Sequence, residues 1–257
     1  MKSFLTLLVL LFISSGIKAD CASSGLLVIP ASSSVCQNPV FMIEGYGTSE
    51  TIINNLNIKH PVYLQSGTNK IKLLVLEICV GDLYLTQAIL KPEKELDAGL
   101  IYTLHIDSLP VRESLREYNS STRNYTAYTY RTLAKKDIQK PVLKSSPKEI
   151  GKQYLMYGCG PSINVIYSLT VNDETTVFVK TNVRNLETGK TTTYYLLTSG
   201  GQIRIGQDMC SGAFSLTEGN LFEVTFSFMD ASGNILPWNG KTYQFSRPTP
   251  ENSKGTF

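Results

Sequence analysis

The side chains able to do acid–base or nucleophilic chemistry are few in this chain. There are two histidines, His60 and His105, and five cysteines, Cys21, Cys36, Cys79, Cys159 and Cys210. A Ser-His-Asp or Cys-His centre needs an imidazole held beside its nucleophile. His60 precedes Pro61 in a turn signal. His105 alternates with Leu104 and Ile106, which places it on the solvent face or at an edge of a strand. No Gly-x-Ser-x-Gly elbow is written in the sequence. The acid pairs Glu93/Glu95 and Asp173/Glu174 lie in turn signals, where carboxylates are ordinarily just solvated. The cysteines show no Cys-x-x-Cys spacing, so disulfides are expected rather than zinc. Asp230, Ser232 and Asn234 set oxygens at alternate positions, the opening of a calcium loop. A plain turn explains the same residues, and no metal or cofactor is assigned. Gly200-Gly201 and Gly206 fall between short strand signals, not before a helix, and read as turns. The expectation is a non-catalytic chain.

The first nineteen residues look like an export signal. Lys2 is followed by an apolar run over residues 4–13 and by Ala19 before Asp20. The run is short for a membrane span. The mature chain is then expected from Asp20, secreted, at the cell surface or in a periplasm. Removing Lys2 and Lys18 from the 24 bases leaves 22 against 21 acids. Such a balance carries no long-range field for nucleic acid. No later apolar run is long enough for a transmembrane helix. Five cysteines leave at least one unpaired. Cys159 and Cys210, each beside glycine, form the expected bridge, and the pairing of Cys21, Cys36 and Cys79 is open. Lipidation of Cys21 is disfavoured, because Asp20 is a poor residue directly before a lipobox cysteine.

The elements that must carry these residues are strands. Short β-branched and aromatic runs bounded by Gly, Pro, Asn and Asp fit strands at 26–29, 40–44, 62–65, 71–80, 83–90, 100–106 and 125–133. In the second half they fit 153–157, 165–171, 176–186, 191–197, 202–205, 221–229 and 243–245. Residues 51–56 are a short helix or an extra strand. Gly81-Asp82 reads as a two-residue hairpin turn between long, central strands, and Gly189 as the left-handed position of another. Phe222, Val224, Phe226 and Phe228 share one face of a half-buried strand. The Lys- and Pro-bearing stretch 135–148 reads as a semi-rigid linker, and 248–257 as a disordered tail. The reading is all-β: an export signal (1–19), two antiparallel β-sandwiches in tandem (20–134 and 149–247), a linker and a tail.

Asn38-Pro39-Val40-Phe41, Pro61-Val62-Tyr63-Leu64, Leu90-Lys91-Pro92 with Leu96, and Gly99 leading into Tyr102-Thr103-Leu104 resemble the bacterial Ig-like modules of secreted and surface proteins. The turn at residues 230–234 is similar to one near the last strand of such modules. The resemblance implies Ig-like or fibronectin-III-like sandwiches and a secreted bacterial setting. It transfers no active site.

Function is then expected to be recognition: adhesion or surface assembly, with a protein or carbohydrate partner. Fourteen tyrosines are the one compositional excess, and Tyr118, Tyr125, Tyr128 and Tyr130 are the candidate binding patch. The groove around 135–152 is a second candidate. Asn119 and Asn124 open N-glycosylation sequons. The alternatives are a periplasmic two-domain assembly chaperone, which needs an unpaired edge strand with alternating apolar residues near 70–80, and a secreted enzyme with an unrecognised site.

Overall fold

A computed structural model describes residues 21 and 23–253. The expected export signal lies outside them. The regular structure of the described residues is almost wholly β, as the run lengths predict.

The first half threads β1 (Gly25–Ile29), β2 (Ser33–Val35), β3 (Phe41–Tyr46), β4 (Val62–Ser66), β5 (Asn69–Val80), β6 (Leu85–Pro92), β7 (Ile101–Ile106) and β10 (Thr129–Thr132) into one eight-stranded path. The order is β1-β3-β6-β5-β4-β7-β10-β2. Phe41, Ile43 and Leu90 on one stretch of this path meet Leu64, Tyr102 and Tyr130 on the other in a single core. Residues 51–56 resolve into helix α1 (Glu50–Ile53), whose Ile52 and Ile53 enter that core. The small β8 (Glu117–Asn119) and β9 (Asn124–Thr126) pair only with each other. Residues 125–133 are therefore two strands broken at Ala127 and Tyr128.

The second half holds β11 (Val142–Tyr157), β12 (Gly160–Asn172) and β15 (Gln202–Gln207) in one sheet. The other contains β13 (Val177–Asn185), β14 (Thr191–Leu197), β16 (Leu221–Asp230), β17 (Ile235–Leu236) and β18 (Tyr243–Ser246). The alternation of β16 is realised: Phe222, Val224, Phe226 and Phe228 are all buried. Gly189 has φ +75°, as its hairpin requires. Gly206 has φ +153°, and a Cβ there would sit 1.9 Å from the Ile163 carbonyl oxygen, so only glycine lets β15 approach β12.

Three expectations are corrected. The stretch 135–148 is not all linker, because β11 begins at Val142; Pro147 fits there since it falls in a bulge between the Ser145 and Lys148 pairs of an edge strand. Residues 248–253 hold a turn closed by Ser253 N–H to the Thr249 carbonyl, so that part of the tail is ordered. The connection after β5 is four residues long, with Tyr84 at φ +48°.

Candidate functional site

Two features of the strand network leave side chains and backbone available for recognition. The first is the free edge of β5. Its opening residues, Asn69 to Lys72, pair with β4, whereas Leu73 to Val80 pair with β6 alone. β4 ends its pairing at Tyr63 opposite Lys72, and from there the other edge of β5 has no strand hydrogen-bonded to it among the described residues, although Thr191 to Thr193 of β14 lie near its end. The expectation of a central strand is corrected: β5 is central for four residues and an edge for eight. A bulge at Leu76 shifts the register between the Val75 and Glu77 pairs. Beyond it, Ile78 and Val80 share the face of Ala88 and Thr86. Leu74, Leu76, Ile78 and Val80 are 36, 50, 41 and 58% exposed. Lys72, Lys91 and Lys94, all exposed, gather at the start of this edge, with Glu93 accepting from the Lys72 N–H at 3.3 Å. Lys91 stands opposite Leu74 in register.

The second feature is the seam between the halves. The outward face of β3, β6 and the end of β5 carries Met42, Ile89 and Cys79 into one apolar cluster with Phe178 and Met229 of the second half, with Gln87 buried on the same face. β14 is the end strand of its sheet, and Gln87 covers its free edge. The Gln87 Oε1 accepts from the Tyr195 N–H at 2.6 Å, and its Nε2 donates to the Tyr195 carbonyl at 3.2 Å. One side-chain amide thus replaces a missing strand residue. Glu77 receives both the Lys180 ammonium (2.7 Å) and the Tyr195 hydroxyl (2.9 Å). Burial works against its charge, yet these two hydrogen bonds prevail and hold its carboxyl below the ordinary value. Glu44 is buried more deeply. Desolvation pushes its carboxyl up, although Tyr194 Oη donates to it at 2.8 Å.

A cleft of about 680 Å³ opens at this seam. Leu26, Leu27 and Met42 form part of its apolar lining, with Glu44, Arg204 and Asn164 as polar groups. The Oε1 atom of Gln207, another lining residue, is buried without a partner.

The cysteines do not pair as expected. Cys21 bridges Cys210, with Cα atoms 5.5 Å apart, and Cys159 is free. Cys159 still lies in the same place: the three sulfurs are within 4.8 Å of one another. Position beside glycine identified two members of this cluster but carried no information on Cys21, 189 residues away. Cys36 and Cys79 are buried thiols. Burial pushes Cys79 up to about 12, so it stays protonated and unreactive.

The tyrosine patch divides. Tyr118 and Tyr125 are exposed on β8 and β9, their ring centroids 5.2 Å apart. Tyr128 and Tyr130 are buried in the first core, where Tyr130 packs 4.8 Å from Phe41 and donates to the Pro30 carbonyl. Four tyrosines close in sequence are therefore not one surface. His105 is half-buried and stacks on Tyr63, and His60 Nδ1 lies 3.3 Å from the Asp107 carbonyl oxygen.

The calcium-loop pattern is corrected too. Asp230 is buried, and its Oδ1 accepts the N–H groups of Ser232 and Asn234 at 2.8 Å each. Asn234 turns its side-chain nitrogen to Asp230 Oδ2, also at 2.8 Å, so the alternating oxygens do not converge. Instead, carboxylate oxygens of Asp137, Asp173 and Asp230 lie within 4.8 Å of one another, the described acids that could hold a hard cation. Asp137 and Asp173 each also cap their own turns, through Gln139 N–H and Thr175. Burial first, and the Asp173 charge with it, pushes the Asp230 carboxyl up. A groove lies beside them, lined by residues 135–140, Val142 and 171–174; residues 143–152 of the expected groove do not line it. Its Lys135 ammonium pairs with Glu174.

No helix among the described residues is long and apolar enough to cross a membrane. No family model matches the chain. No curated protein matches it. Among solved structures it is similar to a type I pullulanase from Bacillus subtilis str. 168 complexed with maltose. The identity is 12% over 81% of this chain and 24% of that chain, with TM-score 0.23. It is also similar to the tandem Ig repeats of Dlar, at 9% identity over 88% of this chain and 96% of that one, with TM-score 0.23. The chain spans about a quarter of the pullulanase's length. Neither likeness bears on function.

Proposed function

We propose that this is a secreted or surface-exposed, non-catalytic interaction protein built of two Ig-like β-sandwiches. Its partner is a protein that lays an extended segment along the free edge of β5. The stretch from Leu74 to Val80, paired with β6 on one side and with no strand hydrogen-bonded on the other, carries this reading; at Leu73 the edge carbonyl already accepts from Asn57 Nδ2 at 2.7 Å. An open edge offers a row of backbone donors and acceptors, and natural sheets usually blunt such edges with charge or proline. Here Leu74, Leu76, Ile78 and Val80 are exposed and apolar, and the one charge among them, Glu77, is turned to Lys180 and Tyr195. By contrast, the edge of β14 is covered by Gln87. A strand added to β5 would gain ladder hydrogen bonds, with Leu74 on one face and Ile78 and Val80 on the other, because the bulge at Leu76 switches the face. Lys72, Lys91 and Lys94 outnumber Glu93 at one end, so the segment is acidic where it meets them. The Cys21–Cys210 bridge fits an oxidising compartment.

The same observation favours a second reading, the periplasmic assembly chaperone, in which the added strand belongs to a subunit awaiting assembly. A chaperone releases its subunit on assembly, whereas an adhesive module stays in the finished complex.

A photo-cross-linking residue in place of Leu76, on the producing cells, tests the proposal. The expected adduct joins Leu76's position to an extended segment of one partner, and Ile78→Lys abolishes it. The same cross-linker at Val111, exposed and far along the chain, gives no such adduct. Absence of an adduct at position 76, or one indifferent to Ile78→Lys, overturns the proposal.

A further inference from the structure

Cys159 occupies the two-residue turn between β11 and β12, where Tyr157 pairs with Gly160. Cys210 follows β15 in a loop held to the start of β12 by Ser162 Oγ donating to Asp208 at 2.8 Å. Cys21 approaches from the segment leading into β1. Three separate pieces of chain thus deliver three half-buried sulfurs to one place, all within 4.8 Å of one another. Two of them are joined and the third is a thiol. This is the arrangement that thiol–disulfide exchange requires: a nucleophilic sulfur beside a disulfide, with access to solvent.

We infer that the cluster is an exchange site in which the bridge migrates between Cys21–Cys210 and Cys159–Cys210. The Cys159 thiolate attacks Cys210 Sγ. The Cys159–Cys210 bond forms as the Cys21–Cys210 bond breaks. The electron pair leaves on Cys21 Sγ, which takes up the proton Cys159 gave up. One disulfide and one thiol enter and one of each leaves, so no oxidant or reductant is consumed.

The two isomers differ in what they tie together. Cys21–Cys210 joins positions 189 residues apart and fastens the start of the chain across the seam. Cys159–Cys210 is a link within the second half alone. Ser23, Leu26 and Leu27, just after Cys21, line the seam cleft together with Asp208 and Ser211. Migration of the bridge therefore frees the segment at the rim of that cleft and exposes the Cys21 thiol, a position for a mixed disulfide with a partner.

The test is disulfide mapping of the full chain. Oxidised protein is held at mildly alkaline pH, quenched in acid, alkylated with N-ethylmaleimide and digested. The wild type is expected to yield both bridged peptides, with Cys159 alkylated in one isomer and Cys21 in the other. Cys159→Ser is expected to hold Cys21–Cys210 alone. Cys21→Ser is expected to form Cys159–Cys210 under the same oxidation, with circular dichroism matching the wild type. The inference is overturned if Cys21 is never alkylated in the wild type. It is equally overturned if folded Cys21→Ser leaves both Cys159 and Cys210 as thiols.

Discussion

Replacing Gln87 by alanine removes the group that closes the edge of β14. Gln87 is fully buried and lies in β6, whose neighbours Ala88 to Leu90 are apolar core. Its amide satisfies the N–H and the carbonyl of Tyr195. In the alanine variant both backbone groups stay at the seam without that partner. A buried polar group left unpaired costs about 1–3 kcal/mol. Two such groups, with partial relief from water reaching one of them, give a loss of about 3 kcal/mol. For a chain of this size that is a fall of roughly 6–12 °C in Tm. It is a large share of the usual 5–15 kcal/mol of total stability. Gln87→Leu keeps most of the volume and should lose nearly as much, which separates hydrogen bonding from packing. The assay is equilibrium urea unfolding followed by Trp238 fluorescence and far-ultraviolet circular dichroism. A loss under about 0.5 kcal/mol in both variants would refute the edge-capping argument, because surface substitutions alone produce changes of that size.

Tyr167 and Tyr194 make an opposed pair. The Tyr167 hydroxyl is buried without a partner, so Tyr167→Phe should be neutral or stabilising by up to about 1 kcal/mol. The Tyr194 hydroxyl donates to half-buried Glu44, so Tyr194→Phe should cost roughly 1.5–3 kcal/mol; thermal unfolding of the two variants reads both signs. The pH profile should have two limbs. Glu44 and Asp230 have folded pKa values raised above their unfolded ones, so their ionisation weakens the fold at neutral pH, and this is relieved as pH falls through those raised values. Glu77 is lowered, so its contribution is present above the unfolded carboxylate value and is lost as pH falls through its folded value. Urea midpoints measured from pH 7 to pH 3 should rise and then fall, and Glu44→Gln should flatten the rising limb.

Strand positions were legible wherever one face is buried. In β16 the alternation of Phe222, Val224, Phe226 and Phe228 specifies both the strand and its buried side, and β14 runs over the residues expected of it. What sequence could not supply was the identity of neighbours. The apolar run of β5 looks central from its composition, yet β4 is too short to accompany it beyond Lys72. The apolar side chains there stay exposed instead of packing into a core. The tyrosines failed for a related reason. A break at Ala127 and Tyr128 sends Tyr118 and Tyr125 onto a separate hairpin and Tyr130 into the core. The seam left one readable sign, a glutamine set among β-branched and aliphatic residues in β6. Its partner on β14 lies 108 positions away, and no local pattern points to it. The turn positions of Cys159 and Cys210 correctly put two sulfurs at one end of the second half. The third arrived from the start of the chain.

In the proposed function, the edge of β5 from Leu74 to Val80 is open and a partner strand adds there. Amide hydrogen exchange of this segment, in the free protein and in the cross-linked complex from the producing cells, tests it most directly. Edge-facing amides between Leu74 and Val80 should exchange quickly in the free protein, and become strongly protected in the complex while β14 amides do not change. Slow exchange along β5 in the free protein, or a complex that leaves these amides unprotected, would contradict it.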